Sequence, residues 1–538
     1  MSDQTLTDRL RGASEQSRTG QGASRRIENV LAAATPQAGP SAWAIAATLV
    51  LVAVSIAVGV AAALTRGPWL DEFWTLWATD PTVPWRQALQ QRWLTDVHPP
   101  AFSAFSRLLA GALGPEVTTR RLQNLLPLLG LLAAFVYAAM AWPRARRFLA
   151  TYAVLAFSSY FMTAYLAEYR SYFAQFCFGL VFYGSSYALL SGELGLSAIG
   201  RRLAMGALLV TSVLLVNLHF VTAVVALISL AGLTLAALVF RQKQLAVLFC
   251  VAAFLAAAPL VVTTMFQLHE LLGRTGGHFW IETGVGEAVM IVAGSFVKGA
   301  GCSLVAVVAA ALALRHTMGR PGGGIGRDRQ IGLIFVGLAA SSALLLLGIN
   351  LQTPIIIDRY LVLCSAAMVC ALAILTKDIL FDRRWGFVLL LANAASFIAF
   401  SGIKLVHEPR WNATAGLIAG AVARCPTTKV EAFQFIYPGT LPNEAAVLSQ
   451  AYRYLGDRHG FAVRAAGPGT YMPPTPTQAC GDILWVEHIL WPGRDPDTND
   501  RLVRDAARQA IGPVDLSGTT VLRTKTGAII VPAAEHSS

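Results

Sequence analysis

The sequence predicts an α-helical polytopic membrane protein with about eleven transmembrane helices and a small α/β domain after them. Apolar residues make up 55% of the 538 residues and charged residues 13%, and the mean hydropathy is +0.55. This composition is typical of chains that cross a bilayer many times. One span needs about 20 mostly apolar residues, and stretches of that kind recur between Trp43 and Val406.

The predicted spans follow the apolar stretches in chain order. They are Trp43 to Leu64, Leu122 to Trp142, Phe148 to Leu166, Tyr172 to Leu190, Leu203 to Leu218, Val221 to Phe240, Leu245 to Phe266, Ala288 to Leu314, Ile331 to Asn350, Leu361 to Leu375 and Trp385 to Leu405. The division between Leu203 and Phe240 depends on the break at Asn217 to Phe220. If that stretch were one span, the C-terminus would change sides.

Basic residues occupy every second loop. They lie in the N-terminal tail, Pro143 to Arg147, Arg201 to Arg202, Arg241 to Gln244, Arg315 to Arg329 and Lys377 to Arg384. Because such loops stay cytoplasmic, the pattern places the N-terminus inside and puts the loop 65–121 and the tail after Val406 outside. This topology accounts for the net charge of +12, so binding to nucleic acid is not needed to explain it.

The chain divides into three predicted regions. Residues 1–41 are polar and lack an apolar period, which indicates a disordered cytoplasmic tail. Residues 42–406 form the transmembrane domain, and residues 407–538 form an extracytoplasmic α/β domain. In that domain, segments with helical spacing alternate with strand-like segments along the chain. The helical segments are Trp411 to Arg424 and Asn443 to Leu455, and the strand-like segments are Val430 to Ile436 and Ile483 to Val486.

Two of the seven cysteines lie in the predicted outer domain. Cys425 and Cys480 would face an oxidising compartment, where disulfides persist, so we expect a disulfide bond between them. The other cysteines lie in apolar stretches, where a free thiol behaves as a small hydrophobe. The sequence has no Cys-x-x-Cys motif and no zinc-ligand spacing.

The loop 65–121 holds the predicted site. Asp71 and Glu72 follow the first span. Pro84 to Leu94 reads as an interfacial helix with Trp85, Leu89 and Trp93 at four-residue spacing. His98 precedes two prolines and a second helix that carries Phe102, Phe105 and Leu109. These two helices would frame a cavity at the membrane surface.

Asp71 and Glu72 are expected to do different jobs. Neighbouring positions on a helix diverge by roughly 100°, so one carboxylate should face the cavity. The alternative is that both are solvated loop carboxylates or the acidic first turn of a helix. That alternative weakens because Asp96, His98 and Arg121 lie in the same loop, and this density of ionisable groups exceeds what membrane anchoring requires.

These residues resemble a known family. An Asp-Glu pair after the first span, an interfacial helix, His-Pro-Pro at 98–100 and Arg-Leu at the next span are similar to the GT-C glycosyltransferases of the protein O-mannosyltransferase and aminoarabinose transferase type (glycosyltransferase families 39 and 83). The segment Leu166 to Tyr172 resembles the second outer loop of that family. His219-Phe220 and Asp358-Arg359-Tyr360 also match. One departure is Ala101-Phe102-Ser103, where the family often has Leu-Tyr-Tyr.

The resemblance implies inverting transfer of a sugar from a polyprenyl-phosphate donor to an acceptor hydroxyl on the outer face of the membrane. The acceptor would be an envelope glycan, a lipid or a protein. A hydroxyl is a poor nucleophile and needs a base, for which we choose Asp71. The leaving phosphate needs fixed cations. The residues expected to contact the donor phosphate or the substrate are Glu72, Asp96, His98, Arg121, Arg170, Tyr172, His219, Arg359 and Tyr360.

Several alternatives remain open at this stage. Arg170 and Arg359 could snorkel to lipid headgroups, and His219 could be an interfacial histidine. Glu72, Asp96 and His98 could together hold a divalent cation, although we expect no essential cofactor. His278-Phe279-Trp280 could cover the cavity or anchor the chain at the interface.

Two other classes of protein compete with the glycosyltransferase. A transporter or lipid flippase would carry ionisable groups near the bilayer midplane and often repeated halves, whereas these charges cluster at outer span ends. A ligase using a lipid-diphosphate donor would share many spans and outer arginines, but the Asp-Glu pair directly after the first span argues against it. The richness in Ala and Arg and the low Lys content favour a bacterial inner membrane, with the active side toward the periplasm.

Overall fold

The computed structural model describes most of the chain. The described residues are 42–96, 98–191, 196–275, 283–300, 308, 326–378, 381, 383–402, 411–434, 443–471, 480–487, 495–524 and 526–532. The N-terminal tail 1–41, the thiol of Cys302 and the segment His278 to Trp280 lie outside these ranges, so the predictions made for them stay predictions.

Helices dominate the transmembrane part. Eight described helices are long and apolar enough to cross a membrane, and a ninth crossing results if a pair bent by 55° between Phe157 and Tyr160 counts as one span. The polytopic helical fold is therefore confirmed. The count of eleven is not, because the predicted spans Ala288 to Leu314 and Trp385 to Leu405 extend beyond the described residues.

The helices up to the second outer loop carry the predicted site. They are α1 (Ala42–Thr65), α2 (Leu70–Ala78), α3 (Trp85–Ala88), α4 (Ala101–Leu113), α5 (Val117–Arg120), α6 (Leu125–Ala141), α7 (Arg146–Phe157) and α8 (Tyr160–Leu166). A π-helical turn, Leu89–Trp93, extends α3, and a 3-10 turn, Arg121–Asn124, joins α5 to α6.

The remaining helices of the bundle follow the second outer loop. They are α9 (Tyr172–Ser191), α10 (Ala198–Leu218), α11 (Phe220–Val239), α12 (Lys243–Thr275), α13 (Val285–Gly299), α14 (Arg327–Asn350), α15 (Val362–Thr376) and α16 (Arg383–Phe397). Short turns, Asp358–Leu361 and Ile398–Gly402, precede α15 and follow α16. We call the end of the bundle that carries residues 65–121 the outer end, after the sidedness that the loop charges predict, and the opposite end the inner end.

The long apolar run 203–240 forms two helices. His219 separates α10 from α11 with an extended backbone, and its Nδ1 accepts a hydrogen bond from the backbone N–H of Val221 at 3.2 Å. A side chain that accepts from the first turn caps a helix start. His219 thus both ends one span and begins the next.

Helices α9 and α15 lie at the centre of the bundle. Most of their side chains are buried, including Tyr183 and Tyr187 on α9. At Gly179 the two helices approach so closely that an added Cβ would lie 2.8 Å from Leu363 Cδ1 and 3.0 Å from Ala366 Cβ. Small residues allow this approach between spans, and the outer ends of both helices reach the predicted site.

The predicted interfacial helix is a short α-helix that continues into a π-helical turn. Trp85 and Leu89 are exposed, as expected for membrane contact, but Trp93 is buried and its Nε1 donates to Ala78 O at 2.8 Å. The π-helical turn widens the last turn of the helix and directs Trp93 inward. The second predicted helix corresponds to α4, on which Phe102 is buried and Phe105 exposed.

A five-stranded mixed sheet follows the bundle. Its strands are β1 (Val430–Ala432), β2 (Val463–Ala465), β3 (Ile483–Glu487), β4 (Thr519–Arg523) and β5 (Gly527–Pro532), in the order β2-β1-β3-β5-β4. β1 pairs in parallel with β2 and β3, whereas β5 is antiparallel to β3 and β4. The helices α17 (Trp411–Arg424), α18 (Glu444–His459) and α19 (Pro496–Ile511) pack around it. A disulfide bond between Cys425 and Cys480 links the residue after α17 to the segment before β3.

The outer loop and the C-terminal domain share one hydrophobic core. Phe73 on α2 is fully buried, and its ring centroid lies 5.4 Å from that of Trp411 and 5.6 Å from that of Tyr454. Tyr454 also donates from its hydroxyl to Glu116 Oε2 at 2.6 Å. The helix that bears Asp71 and Glu72 is therefore packed on one side by the C-terminal domain.

Candidate active site at the outer end of the bundle

Asp71 and Glu72 occupy the first turn of α2 and point in different directions. Glu72 is fully buried, and Arg121 donates to both of its oxygens, from Nε to Oε1 at 2.7 Å and from Nη2 to Oε2 at 2.6 Å. The backbone N–H of Tyr169 donates to Oε1 at 2.7 Å. The side chain of Asp71 keeps 17% of its surface exposed. The divergence follows from the helical turn.

The Glu72–Arg121 ion pair connects the first turn of α2 to the C-terminal end of α1. Arg121 also donates to the backbone oxygens of Ala63, Arg66 and Gly67 at 3.0, 2.6 and 3.1 Å. It thereby satisfies carbonyls at the end of α1 that have no helical partner. This corrects two expectations, because the structure leaves neither Glu72 nor Arg121 accessible to a donor phosphate, and Glu72 is not accessible to a metal ion.

Two arginines from distant parts of the chain meet at Asp71. Arg359 Nη2 lies 3.2 Å from Asp71 Oδ2, and Arg170 Nη2 lies 4.0 Å from the same oxygen. Arg170 also donates from Nη1 to Asp71 O and to Thr75 Oγ1, at 3.2 and 3.1 Å. Although burial acts to lower the pKa of Arg170, Tyr172 and Asp71 outweigh it and hold the pKa above its ordinary value. Arg170 is therefore a permanent cation.

Aromatic rings fix the two guanidinium groups. Arg359 lies over the ring of Trp69 at 4.9 Å and over that of Tyr172 at 5.7 Å, and Arg170 lies 5.9 Å from the centroid of Tyr172. A guanidinium over an aromatic face is favourable, and each side chain keeps only 14% of its surface exposed. The alternative that these arginines snorkel to headgroups does not fit this arrangement.

A cluster of imidazole and phenol rings adjoins the arginines through Tyr172. The ring of His219 lies 5.9 Å from that of Tyr172, 4.7 Å from that of Tyr360 and 4.8 Å from that of His98. His98 Nδ1 lies 3.2 Å from Asp96 Oδ1. Of the predicted substrate-contacting residues, the structure thus brings together Asp71, Asp96, His98, Arg170, Tyr172, His219, Arg359 and Tyr360.

His219 has one ring N–H group that donates to no acceptor among the described residues. Its Nδ1 accepts from Val221, so the neutral ring carries its proton on Nε2. Nε2 is buried and has no hydrogen-bond partner among the described residues. Burial, aided by His98 and the two arginines, holds the pKa of His219 well below its ordinary value. The site therefore contains a neutral N–H group that can donate to a ligand.

The sequence pattern missed three buried polar residues near this site. Arg66 Nη1 lies 3.4 Å from Glu168 Oε1, and Gln267 donates to the loop that carries His98. Burial, opposed by Arg66 and Arg359 and reinforced by Glu72 and Asp71, raises the pKa of Glu168 to about 7. Glu168 and Arg66 each flank a span end, which was a signal in the sequence. Gln267 lies within an apolar helix and left no signal beyond being polar there.

No cluster for a metal ion emerges from the described residues. Among them, no three His, Cys, Asp or Glu side chains are close enough together to hold one. Asp96 and His98 are neighbours, but Glu72 is turned away into its pair with Arg121. The three residues do not form the set of ligands that the sequence suggested.

Comparison with known proteins identifies the fold. No protein-family model and no curated protein sequence matches this chain. Solved structures do match, among them two crystal structures of ArnT from Cupriavidus metallidurans. The apo form has 13% sequence identity and a TM-score of 0.52 over 90% of this chain and 97% of that one. The form bound to undecaprenyl phosphate has 13% identity and a TM-score of 0.50 over 90% and 98%. The chain is therefore a multi-pass membrane protein with the GT-C fold of ArnT.

Proposed function

We propose that this protein is an inverting glycosyltransferase that moves one sugar from a polyprenyl-phosphate donor to an acceptor hydroxyl at the outer face of the membrane. The observation that carries the proposal is Asp71, a partly exposed carboxylate that faces Arg170 and Arg359 at the outer end of a GT-C fold. The ArnT structure that contains undecaprenyl phosphate supports a polyprenyl lipid as part of the donor.

The reaction needs a base and a site for the leaving group. The acceptor oxygen attacks the anomeric carbon of the sugar, the bond from that carbon to the phosphate oxygen breaks, and the configuration inverts. Asp71 takes the proton of the acceptor hydroxyl as the new bond forms. The two electrons of the broken bond stay on the polyprenyl phosphate, and Arg170 and Arg359 stabilise that negative charge.

The local charge favours a monophosphate donor. Asp71, Arg170 and Arg359 together carry a net charge of about +1 at neutral pH, which one phosphodiester group would neutralise. A lipid diphosphate would bring an additional negative charge into a site in which burial makes unpaired charge costly. The charge balance of the site favours a transferase with a monophosphate donor over a ligase with a diphosphate donor.

The ring cluster provides the remaining contacts in this proposal. The Nε2–H of His219 can donate to a phosphate or sugar oxygen, and the faces of Tyr172 and Tyr360 can pack against a sugar ring. His98 lies beside His219 and Asp96 lies beside His98, and both would contact the donor from the interfacial loop. No metal ion or other cofactor is required for these roles.

The cellular setting extends the proposal. A bacterial inner membrane, with the N-terminus in the cytoplasm and the C-terminal domain in the periplasm, agrees with the basic loops. The acceptor would be an envelope glycan, a lipid or a protein that carries a free hydroxyl group.

Transfer of radiolabelled sugar from a panel of polyprenyl-phosphate sugars in membranes tests the function. Asp71→Asn keeps the shape of the side chain and removes the base, so transfer should fall by about 100-fold or more while donor binding remains. Asp505→Asn, an exposed carboxylate on α19, is the matched control and should transfer at the wild-type rate. Full activity of Asp71→Asn would remove Asp71 from the mechanism. Absence of transfer by the wild type from every donor would favour a transporter or a ligase.

A further inference from the structure

Gln267 connects helix α12 to the loop between the two interfacial helices. Its Nε2 lies 3.0 Å from Trp93 O, 3.0 Å from Asp96 O and 2.9 Å from His98 O. The residue is fully buried. One amide group with two protons therefore serves three backbone acceptors, which share its N–H groups.

These three carbonyls belong to a segment with little regular structure. The π-helical turn ends at Trp93, and α4 does not begin until Ala101. Buried carbonyls in such a segment need partners from outside it. Gln267 is a buried side chain that supplies them, so the path of the backbone from Trp93 to His98 depends on it.

The same backbone carries two residues of the site. The ring of His98 packs against that of His219 at 4.8 Å, and its Nδ1 lies 3.2 Å from Asp96 Oδ1. A shift of this backbone would move His98 away from His219 and Asp96 with it. Their positions are thus set from α12, which contributes none of the charged residues of the site described above.

The side-chain amide of Gln267 is not required for packing, because its oxygen is unfavourable in this buried position. Gln267 Oε1 is buried and has no hydrogen-bond partner among the described residues, and an unsatisfied buried acceptor lowers stability. A Met of similar length would avoid that cost but would donate no hydrogen bonds. A Glu would place a carboxylate against three carbonyl oxygens. The donor group is the property that the position requires.

We propose that Gln267 is a positioning residue for the transfer reaction, which holds the loop so that His98 lies against His219 and Asp96 lies beside His98 at the candidate site. This inference rests on the proposed function for its effect on catalysis. The anchoring of the loop itself is independent of that function and can be measured in the protein without substrate.

The kinetic test compares Gln267→Glu and Gln267→Met with the wild type. Both variants should raise the KM for the donor by about tenfold or more, which corresponds to the loss of about 1.4 kcal/mol of binding, while kcat changes by less than about threefold. Thr263→Val is the matched control, since Thr263 lies one turn earlier on α12 and its hydroxyl donates only within that helix. A merely structural role would lower the fraction of folded enzyme and hence kcat, at an unchanged KM.

Hydrogen–deuterium exchange of the loop gives a readout that does not depend on activity. Amides between Leu94 and Phe102 should exchange faster in both Gln267 variants than in the wild type or in Thr263→Val. If the wild type transfers no sugar, the proposed function fails, and this exchange still decides whether Gln267 anchors the loop. Unchanged exchange overturns the inference, and so does a fall in kcat at constant KM. If Gln267→Glu does not fold, Gln267→Met and Gln267→Asn supply the same two measurements.

Discussion

Buried ionisable groups gather at both ends of the helix bundle, and the two clusters differ in how fully their hydrogen bonds are satisfied. At the inner end, Asp328 accepts from Tyr187 Oη at 2.8 Å and from Ser191 Oγ at 2.7 Å, and it pairs with Lys377. At the outer end, His219 Nε2 and Glu168 Oε2 have no partner among the described residues. The hydrogen bonds of Asp328 are satisfied, although Nε and Nη2 of the adjacent Arg327 are buried without a hydrogen-bond partner among the described residues. The outer cluster keeps an unused donor and an unused acceptor on His219 and Glu168 themselves.

Under the proposed function, the difference separates groups that stabilise the fold from groups that would contact a ligand. A buried polar network whose members are all bonded holds its helices in place. Unsatisfied buried groups cost free energy, and native proteins keep them mainly where a ligand or a reaction uses them. The same contrast occurs within two consecutive residues, since Glu72 is bonded on both oxygens and Asp71 is partly exposed.

The largest expected effect comes from breaking the buried ion pair between Glu72 and Arg121. Glu72→Gln leaves the buried guanidinium of Arg121 without its counter-charge, and the loss of one partner from such a pair destabilises by about 3–5 kcal/mol. The thermal unfolding midpoint in detergent should therefore fall clearly below that of the wild type.

Asp71→Asn provides the contrast for that measurement. Its side chain is partly exposed, so its midpoint should stay close to the wild-type value even though its activity is lost. Equal midpoints for the two variants would contradict the division between a structural and a reactive carboxylate. The double variant Glu72→Gln/Arg121→Met removes both buried charges, so its midpoint should lie between those of Glu72→Gln and the wild type. That result would strengthen the division between the two carboxylates.

The sequence could predict much of this arrangement but not the role of each residue. Apolar stretches and basic loops were enough for the polytopic fold, and the residues Asp71, Arg170, Tyr172, His219, Arg359 and Tyr360 come together in the structure as a group. Glu72 and Arg121 were misjudged because a pattern of ionisable residues does not show which carboxylate a helical turn directs into the protein. Gln267 was missed because its acceptors are backbone carbonyls about 170 residues away in sequence, which leave no mark on composition or spacing.

The next largest expected effect concerns Glu168, whose Oε2 has no hydrogen-bond partner among the described residues. Its folded pKa of about 7 lies above the ordinary value of 4.5, because burial and the neighbouring Glu72 and Asp71 outweigh Arg66. The folded state therefore binds this proton more tightly than the unfolded state does. Its stabilising contribution is complete below about pH 4.5 and is lost as the pH rises to about 7, a change of up to about 3 kcal/mol.

Glu168→Gln checks this assignment. The variant keeps the shape and cannot ionise, so its unfolding midpoint should fall less than that of the wild type between about pH 4.5 and pH 7. Parallel pH profiles for the two proteins would show that Glu168 does not titrate in that window. The unpartnered Oε2 of Glu168 would then not indicate a group that gains or loses a proton near neutral pH.

The smallest expected effect lies at the inner end. Asp328→Asn keeps an acceptor for Tyr187 and Ser191 but removes the charge that pairs with Lys377, which is partly exposed and can turn toward water. We expect a destabilisation of about 1–2 kcal/mol with an unchanged KM for the donor, measured by thermal unfolding and by transfer assays on the same preparation. Arg147→Gln, which removes a more exposed pair with Asp378 nearby, should change the midpoint by less. A rise in the donor KM of Asp328→Asn would show that the two ends of the bundle are coupled, since a closed network that only holds helices together has no means of distinguishing bound from free donor.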